Sequence, residues 1–157
     1  MLFALWIVSS GSPQLISVSL DGMLTLEIVY TDADLIECVI SVRSRSFTGA
    51  TSIYFTSDSL VQFAAAVAGF PSRAGDHREF DAESLGDTFR LQLDTLEASG
   101  RCTATVEIAD ARDMPQRAVI CFAVYAGDVD AFETDLRTLS RSEEGIAALG
   151  ASATSAI

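Results

Sequence analysis

The chain has 157 residues, which suits one domain large enough to hide roughly 68–70% of its unfolded surface without a disulfide or metal staple. Apolar residues make up 49% and charged residues 20%, so the whole chain is not of a disordered class. Twenty-two acidic residues face ten basic ones, all of them Arg, for a formal net charge of −12. That surface repels nucleic-acid phosphates and anionic membranes and argues against both as partners.

The run Met1 to Val8 (MLFALWIV) is apolar but too short to span a bilayer, and no basic residue precedes Arg43 as a secretory signal would require. It reads as a strand or an extension of the core. Residues 15–20 and 23–31 flank Asp21-Gly22, a dipeptide that favours a two-residue hairpin. In the second run Leu24, Leu26, Ile28 and Tyr30 share one face, the period of a half-buried strand. Ile36 to Phe47 and Thr51 to Phe55 continue the alternation, so four strands in a meander are expected.

The period then changes. Thr56, Ser57, Asp58 and Ser59 offer capping oxygens, and Leu60, Phe63, Ala64 and Val67 follow at helical spacing. Gly69 and Pro71 end this helix, placed at 57–69. Residues 71–86 read as a polar, turn-rich loop with Phe80 anchoring at most a short strand. Alternation returns in 88–94, turns at Ser99-Gly100, and continues in 101–108. Residues 117–125 are apolar on both faces, which suggests a central strand. A second helix over 128–140 carries Val129, Phe132, Leu136 and Leu139 on one stripe, with acids at its start and Arg137 and Arg141 toward its end. The Ala/Ser/Gly-rich tail, 142–157, reads as frayed or disordered.

The expected fold is therefore α+β, a single domain over 1–141. An antiparallel sheet of about seven strands, four and then three, carries both helices on one face. Cys38, Cys102 and Cys121 are odd in number and widely spaced, as in a reduced cytoplasmic protein whose cysteines act as small core residues.

A search for chemistry names no catalytic, cofactor-binding or metal-binding residue. His77 is the only histidine; it reads as a solvated loop residue, the alternative being a lone general base. Without lysine, Walker-type phosphate sites and lysine Schiff bases are excluded. Acid pairs such as Asp32/Asp34 and Asp128/Asp130 do not complete a calcium loop. Candidate partner-binding groups are Asp76, Glu79, Asp81 and Glu83 in the 71–86 segment, with Asp128, Asp130 and Glu133 on the second helix.

Four stretches carry a family resemblance: LTLEIVYTDAD (24–34), FTGATSIYFTSDSLVQF (47–63), FRLQLDTLEASGRCTATVEI (89–108) and AVICFAVYAGDVDAFETDL (118–136). Their order resembles small bacterial immunity-like proteins of the WapI type, which belong to polymorphic toxin systems. The resemblance implies a cytoplasmic, non-catalytic protein that neutralises a cognate, basic toxin by covering it. Two other readings stay open. One is a self-associating module, a homodimer formed through Val119, Cys121, Ala123 and Tyr125 with the apolar N-terminus. The other is a small-ligand binder lined by Phe55, Phe63, Phe89 and Phe122.

Overall fold

The computed structural model describes residues 3–7, 14–45, 47–96, 101–111 and 115–150, with the backbone course alone for 3–7 and 14–19. Ten strands and two helices follow one another along these residues. They are β1 (Phe3–Ile7), β2 (Gln14–Ser19), β3 (Met23–Thr31), β4 (Ile36–Arg43), β5 (Thr48–Phe55), α1 (Ser57–Val67), β6 (His77–Ser84), β7 (Asp87–Thr95), β8 (Arg101–Asp110), β9 (Gln116–Tyr125), α2 (Ala126–Ser142) and β10 (Ile146–Gly150). The α+β class and the antiparallel pairing are as the sequence implies. The expected turn at Ser99-Gly100 and the last seven residues of the tail lie outside the described residues.

The strands divide into two sheets rather than one. β6–β9 form an antiparallel four-stranded meander, extended past β9 by β2 and β1 to give the order β1-β2-β9-β8-β7-β6. The second sheet is antiparallel throughout, in the order β10-β3-β4-β5. The correction begins at Asp21-Gly22, which does not close a hairpin. β2 pairs in parallel with β9, Val18 opposite Cys121 and Ser19 opposite Phe122, and β3 belongs to the other sheet. Gly22 carries the chain between them against the Phe122 side chain, where a Cβ would overlap Phe122 Cβ and Cγ. Glycine stands here for close approach rather than for a turn.

Two further expectations change. The polar 71–86 segment contains a full eight-residue strand, β6, which joins β7 through the two-residue turn Leu85-Gly86. Both turn residues have positive φ (53° and 88°), as a primed turn requires. The C-terminal stretch is not frayed over 146–150. It forms β10 beside β3, with Ala147 opposite Leu26 and Leu149 opposite Leu24. Alanine favours helix in isolation, but here Ala147 and Leu149 are buried on one face of a sheet edge, and burial overrides the propensity. The domain thus reaches Gly150.

Both sheets and both helices share one apolar core. α1 contributes Leu60, Phe63, Ala64 and Val67, and α2 contributes Val129, Phe132, Leu136 and Leu139. A capping box opens α1: Ser59 N–H donates to Thr56 Oγ1 (3.1 Å) and Thr56 N–H to Ser59 Oγ (2.8 Å). α2 ends on Glu143 in the left-handed region, its N–H donating to Leu139 O (2.9 Å). Glu143 also receives Ser57 Oγ on a carboxylate oxygen (3.3 Å), so the end of α2 sits at the start of α1. β9 lies between β2 and β8; Ile120, Phe122 and Val124 are buried on its core face, whereas on the other face Cys121 is buried but Val119 and Tyr125 are about half exposed, so the expected burial of both faces holds only at its centre.

The centre of this core is aromatic. The Phe63 ring stacks on Phe80 of β6 at 4.0 Å and 8°, and meets Phe89 of β7 and Phe132 of α2 edge-on at 5.8 and 5.6 Å. Phe55 of β5 lies 6.5 Å from Phe80. Such pairs add about 0.5–1.5 kcal/mol each beyond area burial. Phe63→Ala is expected to cost about 3–5 kcal/mol in urea unfolding, since it opens a cavity touching both helices and the first sheet. Gly22→Ala is expected to cost about 1–3 kcal/mol by overpacking. Its effect with Phe122→Ala should fall short of the sum of the two single changes. Additive costs would show that Gly22 does not press on Phe122.

Candidate functional site

The outer face of β6–β9 carries a dense set of charged side chains, built by alternation. Phe89, Leu91 and Leu93 of β7 point into the core, so Thr88, Arg90, Gln92 and Asp94 point out. The register aligns these with their neighbours in rows. His77, Asp94, Thr103 and Ala123 form one; Glu79, Gln92, Thr105 and Cys121 the next. Asp81, Arg90, Glu107 and Val119 follow, then Glu83, Thr88, Ala109 and Arg117.

Charges pair along these rows. Arg90 Nε lies 2.6 Å from Asp81 Oδ1 and 3.4 Å from Glu79 Oε1, and Arg117 Nε lies 2.8 Å from Glu107 Oε1. His77 Nδ1 lies 2.6 Å from Asp94 Oδ1, with Nε2 3.6 Å from Glu79 Oε2. Gln92 Nε2 donates to Glu79 Oε2 at 3.4 Å. Five carboxylates thus share the face with three guanidiniums, of Arg90, Arg117 and Arg101, and one imidazole, leaving it net negative. Asp81, Glu83, Thr88, Arg90 and Glu107 surround a shallow depression of about 370 Å³, with Ala82 and Phe89 between them.

His77 therefore stands on a strand and not in a loop, half-exposed and held by a carboxylate. The hydrogen bond to Asp94 is the main reason its pKa is raised, against a smaller opposing effect of burial. Asp76 has a different fate from the acids that follow it. It is only 7% exposed and accepts from Ser72 N–H (2.8 Å), Ser72 Oγ (2.9 Å) and Arg78 Nε (3.1 Å). Arg78 also donates to Ala68 O at 3.0 Å, so the pair fastens the end of α1 to the start of β6. The Arg78 guanidinium, then the Ser72 N–H, hold the Asp76 carboxyl well below the usual carboxylate range. It is a joint in the fold, and its carboxylate is already engaged.

The seven candidate acids thus separate. Glu79, Asp81 and Glu83 stand on one face of β6, and the register adds Asp94 and Glu107 beside them. The α2 acids stand on a helix that packs on the opposite, core side of this sheet, where Phe132 meets Phe63. Asp128 accepts the Tyr125 N–H (2.9 Å) and closes the first turn of the helix; Asp130 is exposed; Glu133 pairs with Arg137 at i,i+4 (2.7 Å). Arg90, Asp94, Glu107 and Arg117 escaped sequence reasoning as site residues. Their signal was the polar half of the β7 and β8 alternation, but only the register shows which of them meet.

The other groups singled out in the sequence lie in the core or beside it. Phe55, Phe63, Phe89 and Phe122 are at most 2% exposed and belong to the continuous core. On β9 Val119 and Tyr125 are about half exposed, whereas Cys121 is buried beside Thr105 Oγ1 (3.5 Å). Burial pushes the Cys38 thiol up to about 12 and raises Cys121 as well. Among the described residues, no group of three or more His, Cys, Asp or Glu side chains is arranged to hold a metal ion. Comparison with protein-family models, with curated proteins and with solved structures returns no match.

The His77–Asp94 pair sets a sign for stability against pH. A histidine whose folded pKa is raised stabilises fully below its unfolded value, about 6.5, and that contribution disappears as pH rises through the folded value. Thermal unfolding midpoints should therefore fall more steeply for this chain than for His77→Gln as pH rises above about 6.5. Equal slopes would remove the coupling. The difference between the two proteins is the readout, because both share the self-repulsion of the remaining acids.

Proposed function

We propose that this chain is a non-catalytic protein-binding domain whose acidic outer face takes a basic partner. The observation that carries the reading is the row of Glu79, Asp81 and Glu83 on a terminal strand, backed by Asp94 and Glu107, in a chain of net charge −12. A surface of one sign speeds encounter with a surface of the other and discriminates against like-charged competitors. The resemblance to WapI-type immunity proteins supplies the class of partner: a cognate toxin domain, neutralised in the cytoplasm by being covered. Such a role uses shape and charge and needs no reacting group. The exposed charged pairs suit it, since solvent-screened pairs add little stability and can be exchanged for intermolecular ones.

The reading is tested by tagged recovery from the native cell at low salt, followed by titration of the purified partner. One basic domain should co-purify. Its affinity should fall steeply as salt rises to about 1 M, where the screening length is about 3 Å. Glu79→Lys/Glu83→Lys should abolish recovery while unfolding behaviour stays close to that of the parent. Recovery of the chain alone, or a partner indifferent to salt and to charge reversal, would overturn the proposal.

A further inference from the structure

The backbone of β6 offers more than a row of acids. In the sheet order β6 is terminal, with β7 on one side only. The hydrogen-bonding phase follows from two contacts. The Leu85-Gly86 turn closes on Ser84 opposite Asp87, and Thr95 N–H donates to Asp76 O (3.3 Å) at the other end. Even-numbered residues of β6 therefore bond to β7, and His77, Glu79, Asp81 and Glu83 direct their N–H and C=O groups to the open edge.

Among the described residues no strand pairs with this edge. Phe80 and Ala82 face the core yet are only partly buried, whereas their cross-strand partners Leu91 and Phe89 are 1% exposed. β5 approaches through Tyr54, whose N–H donates to Ser84 Oγ (3.1 Å), and on the core side through Phe55, whose ring lies 6.5 Å from Phe80.

The same four residues carry the outward side chains, so backbone and charge coincide. Carboxylates at 79, 81 and 83 recur every about 6.8 Å, the repeat of alternate residues in any strand. On the β7 side this arrangement already holds a cation: Arg90 sits opposite Asp81 and reaches its Oδ1 at 2.6 Å. The open side has the same acids and, among the described residues, no strand against them.

We infer that the open edge of β6 accepts one added strand from the partner, an extended segment with Arg or Lys at alternate positions. Backbone groups of Glu79, Asp81 and Glu83 take up its main chain, and their carboxylates take up its cationic side chains. This is strand addition with charge setting the specificity. It rests on the proposed binding of a basic partner and names the surface and mode. Charged edge residues also discourage unspecific pairing between sheets, so the same acids would reject apolar strands while admitting a basic one.

The test is amide hydrogen exchange by NMR on the full chain, with a synthetic peptide of alternating Arg and Thr. A peptide of equal composition with its Arg residues contiguous is the control. The alternating peptide should slow exchange at Glu79, Asp81 and Glu83 by about tenfold or more, and the control should not. Glu79→Pro removes one outward N–H, a change an edge strand tolerates on its solvent side, and leaves the β6–β7 ladder in place. It should weaken binding by about tenfold while β7 amides stay protected. Glu79→Gln/Glu83→Gln keeps every backbone group and should weaken binding in a salt-dependent way. Protection elsewhere than β6, or equal protection by the control, would overturn the inference. So would loss of binding in the Gln variant with full binding in the Pro variant; that outcome leaves the acidic-face reading standing and removes strand addition alone.

Discussion

The stack of Phe63 on Phe80 is the contact that the arrangement of layers depends on. One ring on α1 touches β6, β7 and α2, and the neighbouring Phe55 brings in β5 from the second sheet. Neither sheet can bury its apolar face on the other alone while two helices occupy the same core. The aromatic group fills that junction with large, rigid side chains, which interdigitate with little loss of rotamer freedom. Because Phe80 is part of it, the inner face of β6 is held by packing even though, among the described residues, no strand supports its outer edge.

That division of labour explains how a terminal strand can be both ordered and available. Phe80 points inward to the stack, Asp76 and Arg78 tie the start of the strand to the end of α1, and the Leu85-Gly86 turn sets the register with β7. What remains are the side chains of His77, Glu79, Asp81 and Glu83 and their outward backbone groups. The acids are flanked by cationic groups, Arg90 across the strand pair and His77 two residues along β6 from Glu79, which limit their mutual repulsion.

The path between the sheets depends on a second constraint, which is steric. At Gly22 the backbone runs against Phe122, and at Gly150 a Cβ would overlap the backbone of Gly22. Two glycines thus allow the end of β10, the start of β3 and the centre of β9 to converge. A side chain at Gly22 would force apart strands that belong to different sheets.

The sequence by itself determined the element types: the alternation in β4, β7 and β8, and in β3 as far as Ile28, beyond which a bulge turns Tyr30 to the other, exposed face; the capping oxygens before α1; the stripe of α2; and the apolar centre of β9. Those signals are local, because a half-buried strand or helix writes its period into its own residues. It also determined that the surface is acidic and that Glu79, Asp81 and Glu83 recur at alternate positions. Tertiary structure decided what depends on neighbours distant in the chain. The pairing of β2 with β9 split one expected sheet into two, burial turned the Ala-rich 146–150 into a strand, and Phe80 drew a polar stretch into the sheet edge. Asp76 and Glu79 look alike in a sequence, but one meets Arg78 and Ser72 in a buried joint while the other lies on an open face. Register and burial are properties of pairs of residues, and a single chain read along its length contains only one member of each pair at a time.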